Sequence, residues 1–266
     1  LNTCQVMDVE LEGFHTETVP GVYETAIKYD DALRAADKAA LFKTIVKVVA
    51  QRHGYLATFM AKWNENLPGC SGHVHQSLLD RRGNKNLFYE ASHKGSMSSL
   101  MQNYMAGQLE LMPEFMVMIC PTINSYKRTV PGTWAPTNVT WGLDNRTTSL
   151  RAIPAGAKGT RVEYRLAGAD GNPYLAIAAG LASGLHGVEK RLRLLAPTGN
   201  AYAAADAPAL PRDLGEATAL FRSSKRAQEF FGEEFVEHFA ATREWEVRQY
   251  RKAITDWELD RYFEII

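Results

Sequence analysis

From Asp30 to His53 apolar side chains recur at helical intervals, with Leu33, Ala36, Ala40, Leu41, Ile45, Val48 and Val49 on one stripe. The spacing predicts an amphipathic helix, capped at its start by Asp30 or Asp31 and closed by Gly54. Ahead of it the run Val6 to Glu12 alternates apolar and acidic positions and predicts a strand, followed by a Pro20-Gly21 turn. Residues 55–62 (YLATFMAK) read as a buried strand and Gly72 to Leu78 as another, with Arg82-Gly83-Asn84 turning a hairpin back toward Asn86-Leu87-Phe88-Tyr89. The Met-rich stretch from about Ser96 to Cys120 predicts two helices divided at Pro113. Residues 121–171 are dense in Gly, Pro, Asn and Arg and read as functional loops and strands. A helix rich in small residues (AIAAGLASG) is expected from Asn172-Pro173 to about Leu195, then an exposed Ala/Pro-rich loop over 197–213. Two or three amphipathic helices complete the chain, the last carrying Trp245, Tyr250, Ile254 and Trp257. With no internal repeat and no linker, a single domain over 1–266 is the simplest organisation.

Composition narrows the class. The 266 residues are 45% hydrophobic, enough for a sizeable core. Thirty Lys plus Arg balance thirty Asp plus Glu, so no global field recruits nucleic acid or an anionic membrane, and a charged ligand must be recognised locally. The start does not resemble a signal peptide, and no apolar run is long enough for a membrane span. Cys4, Cys70 and Cys120 are odd in number and far apart, which points to a reducing cytoplasm rather than a disulfide framework. Because the chain opens at Leu1 inside an alternating segment, an N-terminal truncation is expected.

Four constellations carry candidate chemistry. In HTETVPGVYE, Glu17 and Glu24 flank a Pro-Gly turn that can aim both carboxylates at one oxygen-seeking cation; solvated strand residues are the plainer alternative. His73-Val74-His75 puts two imidazoles on one strand face, after a lead-in of small residues, Gly69-Cys70-Ser71-Gly72. Arg161-Val162-Glu163-Tyr164-Arg165 puts Arg, Glu and Arg on one face, suited to a metal, phosphate and carboxylate, or else to the salt-bridged outer face of a sheet. Lys127, Arg128, Arg146, Arg151, Lys158 and Arg161 share their stretch with only one acid, Asp144, a local excess that favours a polyanion such as a nucleotide triphosphate. Neither a Walker A nor a GxGxxG sequence accompanies them, so side chains and metal must hold any phosphates.

These blocks in this order, HTETVPGVYE, FMAKW, GCSGHVHQSL, NSYKRTVPG, DNRTTSLR, RVEYR and NPYLA, resemble the catalytic domain of the glutamine synthetase family. The resemblance covers nearly the whole chain, down to the closing ELDRYF. It implies an α+β fold, a curved and largely antiparallel sheet backed by helices, of the kind shared with guanidino kinases. It implies ATP and Mg2+ or Mn2+ as cofactors, glutamate and an amine as substrates, and a homo-oligomeric parent, a ring dodecamer. Carried over residue by residue, Glu17, Glu24, His73 and Glu163 match metal ligands. Gly69, Arg128 and Arg165 match glutamate contacts, while His75, Ser77, Arg151 and Arg161 match nucleotide or phosphate contacts. Arg146 matches the arginine near the transferred phosphoryl group. The implied reaction passes through γ-glutamyl phosphate, which the amine then opens to an amide.

The chain departs from that pattern in two places. Where ammonia-using members have a glutamate that binds ammonium, the sequence reads Pro131-Gly132-Thr133-Trp134-Ala135-Pro136. Tryptophan can neither accept a proton nor pair with a cation, but its face can hold an alkylammonium, so an alkylamine or polyamine is the expected nucleophile. The family's small β-rich N-terminal domain and its further metal-binding glutamates have no counterpart here, so this chain alone is expected to be inactive or nearly so. A non-catalytic, lengsin-like assembly role is the competing reading, and Tyr202 falls where some bacterial members carry a regulatory tyrosine.

Overall fold

A computed structural model of the chain describes residues 2–265. A short helix α1 (Asn2–Val6) leads into an antiparallel hairpin, β1 (Leu11–Thr16) and β2 (Tyr23–Ile27), and then the long helix α2 (Ala32–Arg52). The strand expected over Val6 to Glu12 therefore begins only at Leu11. Its front half turns away at Asp8, whose φ is +56°, so that Cys4 and Val9 join Ile45 of α2 in a small core. The long helix begins after Asp31 and ends before Gly54, as its apolar stripe predicts.

Residues 55–62 are a correction. They pair in no ladder among the described residues, and Tyr55 and Leu56 are exposed, with Ala61 the one fully buried position. Apolar character alone does not make a strand, which also needs a hydrogen-bonding neighbour.

The main sheet has the order β3-β6-β5-β4, formed by β3 (Val74–Gln76), β4 (Trp141–Leu143), β5 (Leu150–Ile153) and β6 (Arg161–Tyr164). Two of its pairings are antiparallel and β4-β5 is parallel. The loop expected at Arg82-Gly83-Asn84 does turn back, with Leu79 bridging Asn86. Register sorts the side chains: Val74, Tyr164, Leu150 and Trp141 stand side by side across four strands and face the core.

That core is capped by α3 (Ser99–Ile119), one continuous helix despite Pro113. Proline removes one backbone hydrogen bond, but 13 of the residues from Met101 to Ile119 are buried, and that packing outweighs the local break. α4 (Ile123–Arg128) and α5 (Gly156–Gly159) are short helices inside the stretch expected to be loops and strands. α6 (Pro173–Lys190) begins under its Asn172 cap and lies against α3 at very close range. A Cβ on Gly107 would meet Ser183 O at 2.2 Å, and one on Gly184 would meet the Tyr104 ring at 2.2 Å.

The C-terminal region holds four helices, α7 (Leu214–Ser223), α8 (Lys225–Phe231), α9 (Glu233–Lys252) and α10 (Asp256–Tyr262), rather than two or three. Ser224 caps α8, and Gly232, with φ +85°, separates α8 from α9. Trp257 consequently lies on a different helix from Trp245 and Tyr250.

Candidate active site

The face of the main sheet opposite the core carries the charged residues. His75 pairs with Glu163 across β3-β6, and Arg151 pairs with Glu163 across β5-β6, so the three stand in one row on adjacent strands. Gly142 follows Arg151 on β4. One step along, His73 and Arg165 flank the same carboxylate. Glu163 Oε1 accepts from Arg165 Nη1 at 2.7 Å and lies 2.9 Å from His73 Nδ1, while Oε2 accepts from Arg151 Nη1 at 3.1 Å. Arg151 also donates Nε to Asp144 Oδ1 at 2.8 Å.

Glu163 and Arg165 are only 3% and 4% exposed, so RVEYR is not the solvated outer face of a sheet. Burial works to raise the Glu163 pKa, but the His73 hydrogen bond and the surrounding positive charges prevail and hold it well below the usual carboxylate range. Burial pushes His73 down to about 4, against the pull of Glu163. A neutral imidazole facing a carboxylate carries its proton on Nδ1, and that leaves the Nε2 lone pair free. Nε2 is sealed from solvent and has no hydrogen-bond partner among the described residues.

The β1-β2 hairpin supplies the second cluster. His15 pairs with Glu24 across the strands, and Glu17 N donates to Val22 O at 2.9 Å, closing the turn that carries Glu17 back toward Glu24. Ligand atoms of His15, Glu17 and Glu24 all lie within 4.8 Å of one another. The two carboxylates titrate apart. A hydrogen bond from Glu24 draws Glu17 down, whereas burial and the Glu17 carboxylate push Glu24 up, with the Glu163 charge also felt there. The crowded carboxylates and His15 form a donor set that suits a divalent cation, while His73 and Glu163 lie outside that cluster, near enough for the Glu163 charge to reach Glu24. His15 was not among the sequence candidates; its signal was its place two residues before Glu17 on an alternating strand.

The other candidates divide into those facing this site and those supporting it. Arg161 donates Nε to His75 Nδ1 at 3.1 Å and Nη1 to Gly159 O at 3.0 Å. Ser77 is exposed, one step beyond β3 on the His75 face. Arg146 is exposed on the β4-β5 loop, near enough for its charge to act on Arg165. Arg128 lies below the surface. It is 3% exposed, and it gives Nη1 to Leu166 O at 2.9 Å and Nη2 to Arg165 O at 3.1 Å. Gly69 packs on it, for a Cβ there would come within 2.8 Å of Arg128 Cγ and 2.3 Å of Ala61 O. These two brace the backbone that carries Arg165. Trp134, 60% exposed and at φ +59°, offers its carbonyl to Arg165 Nη2 at 3.4 Å.

The sheet face thus gathers a buried carboxylate, an unpartnered imidazole nitrogen and several guanidiniums, with an acidic hairpin near it, the residue types that metal and phosphate chemistry requires. The sequence model described as "Glutamine synthetase, catalytic domain" matches residues 1–262, and the chain belongs to that family. Type-1 glutamine synthetase 2 of Dictyostelium discoideum is 50% identical over 100% of this chain and 52% of that protein. Glutamate–isopropylamine ligase of a Pseudomonas species is 46% identical over 97% of this chain and 57% of its own length. The chain thus spans about half the length of the curated relatives it matches. In structure it matches the GmaS/ADP complex (conformation 1) with a TM-score of 0.90 at 32% identity, over 99% of this chain and 62% of that one. The fold is accordingly the mixed α and β architecture of that family.

Proposed function

We propose that residues 1–266 form the catalytic domain of an ATP-dependent ligase that joins the γ-carboxylate of glutamate to an amine, an alkylamine or polyamine in preference to ammonia. The observation that carries this reading is the convergence of His73, Arg151 and Arg165 on the buried carboxylate of Glu163, with His75 opposite it on the neighbouring strand. In this reading Glu17, Glu24, His73 and Glu163 hold Mg2+ or Mn2+, with His15 as an added donor. A divalent cation at such a site neutralises charge on the oxygens of a transferring phosphoryl group.

The guanidiniums have complementary work. Arg151 and Arg161, with His75 and Ser77, line the run along which nucleotide phosphates lie. Arg146, exposed on its loop, meets the transferring group as the glutamate carboxylate attacks it. Arg165 grips a glutamate carboxylate, and Arg128 and Gly69 keep Arg165 in place. γ-Glutamyl phosphate is the activated product of this first half, and the amine displaces its phosphate in the second. That a relative sharing the fold is solved with ADP, and that another is named for isopropylamine, supports both halves.

Trp134 favours the larger amine. Its carbonyl meets Arg165 while the residue is 60% exposed, so an alkylammonium arriving there would find an aromatic face but no carboxylate. A cytoplasmic homo-oligomer is part of the same reading. The test is ATP-dependent phosphate release by the intact protein with glutamate plus ammonium, methylamine, isopropylamine or putrescine. The expected result is glutamate-dependent turnover that is faster with an alkylamine. No release with any amine rejects the ligase, as the assembly role would require, and a clear preference for ammonium rejects the amine assignment.

A further inference from the structure

The segment 55–62, which pairs in no ladder, lines an open cleft against α2. Thr58, Phe59 and Met60 face Lys43 and Lys47 of that helix, and Thr122, Asn124 and Asp170 complete a space of about 440 Å³. Such a volume suits a small metabolite. None of the residues assigned above to metal, nucleotide or glutamate lines it.

Lys43 and Lys47 lie one helical turn apart on α2, where like charges repel. Both reach over one ring, Lys43 Nζ standing 5.7 Å and Lys47 Nζ 5.9 Å from the centre of Phe59. The ion pairs of α2 belong to Arg34 and Lys38, which meet Asp8 and Asp30; among the described residues neither Lys43 nor Lys47 makes one. Asp170 is the one acid lining the cleft, and its Oδ2 already accepts from Thr122 Oγ1 at 2.7 Å and from Ser125 Oγ at 2.5 Å. Burial draws the Lys43 pKa below its usual value; the Asp170 charge opposes this shift and the Lys47 charge adds to it. A further negative charge in the cleft would favour both ammonium groups.

The polar groups still to be satisfied are donors. Lys43 Nζ gives one proton to Gly171 O at 2.5 Å and keeps two, while Lys47 makes no hydrogen bond among the described residues. Thr58 Oγ1 accepts from Met60 N at 3.2 Å, which leaves its hydroxyl proton to give. Asn124 is already engaged, donating Nδ2 to Lys62 O and accepting from Lys62 N, both at 2.8 Å. We propose that this cleft binds a small oxyanion, the phosphate or carboxylate group of a metabolite, between Lys43, Lys47 and the Thr58 hydroxyl, with Phe59 and Met60 against its apolar part. Two ammonium groups and a hydroxyl proton match oxygen lone pairs and would repel a cation.

The test is calorimetric titration of the intact protein with inorganic phosphate and, separately, with succinate, which distinguishes the two anionic groups; it needs no turnover and is independent of the ligase reading. At least one probe should bind, and Lys47→Gln and Lys43→Gln should each weaken it roughly tenfold, the size of effect expected for one hydrogen bond to a charged group. Lys47 is exposed, and a glutamine at position 43 can still donate to Gly171 O, so the melting temperatures should stay near the wild-type value. Acetylation followed by peptide mass mapping should show Lys43 and Lys47 protected by the probe that binds. Equal affinities in wild type and Lys47→Gln, as phosphate held only at the active site would give, or uptake of neither probe, overturn the proposal.

Discussion

His73 Nδ1 stands 2.9 Å from Glu163 Oε1, His73 being the residue that leads into the edge strand β3 beside the strand that carries the carboxylate. The contact orients the imidazole and leaves Nε2 as a lone pair in a sealed space. It also makes Glu163 the shared partner of one imidazole and two guanidiniums.

Glu163→Gln leaves Arg165 and Arg151 without their common counter-charge. Since Glu163 and Arg165 are buried, the variant should lose about 3 kcal/mol of stability, the usual result of removing one member of a buried ion pair. Urea unfolding measures it. Adding Arg165→Gln should recover part of the loss, because the remaining buried charge goes with it; an additive double variant would contradict the pairing.

Metal binding should depend on the hairpin more than folding does. Glu17→Ala and Glu24→Ala remove side chains that are 37% and 50% exposed, so the melting temperature of the metal-free protein should barely move. Their Mn2+ affinity should fall by roughly tenfold or more, with His15→Asn showing a smaller loss. Calorimetric titration checks this. Metal should also raise the wild-type melting temperature, by mass action on the folded state, and chelation should abolish phosphate release.

Trp134→Glu should exchange an aromatic face for a carboxylate. The ratio of kcat/KM for ammonium to that for methylamine is expected to rise by roughly tenfold, within the range one apolar contact commands in discriminating substrates. The backbone at φ +59° is equally strained for both side chains, so stability should change little. Trp134→Gly, which relieves the strain and offers neither face nor charge, should weaken methylamine binding without improving ammonium.

Gly107→Ala tests the α3-α6 contact. Alanine favours a helix by up to about 1 kcal/mol over glycine, yet here its Cβ would lie 2.2 Å from Ser183 O and 2.5 Å from Gly187 N. Both obstacles are backbone and cannot swing aside. Overpacking should prevail and destabilise the protein by roughly 2 kcal/mol or more, read as a lower urea midpoint.

Cys120 should resist alkylation while the protein is folded. Burial pushes its thiol up to about 12, and Sγ donates to Leu166 O at 3.4 Å. In the unfolded chain a cysteine ionises near about 8.5, so this group favours folding below that pH and stops doing so as pH climbs toward the folded value. Iodoacetamide at mildly alkaline pH should label Cys70 first and reach Cys120 only after denaturation, as peptide mass mapping would reveal.

Local patterns in the sequence determined much of this protein. The stripe from Leu33 to Val49 prescribes α2, the AIAAGLASG run prescribes a helix that can approach another closely, and alternation sorts Arg161, Glu163 and Arg165 from Val162 and Tyr164. Ordered motifs identified the family and the candidate site, because the residue types its chemistry requires sit at fixed spacings. Tertiary structure decided the rest. Pro113 stays within one helix because packing over the whole of α3 outweighs one lost hydrogen bond, and YLATFMAK fails to become a strand because no neighbour offers it a ladder. Arg128 turns its guanidinium to main-chain carbonyls, and Tyr202 turns its hydroxyl inward from what reads as a free loop. A side chain's partners come from distant parts of the chain: His73 meets Glu163 ninety residues on, and periodicity carries information only about neighbours a few residues away.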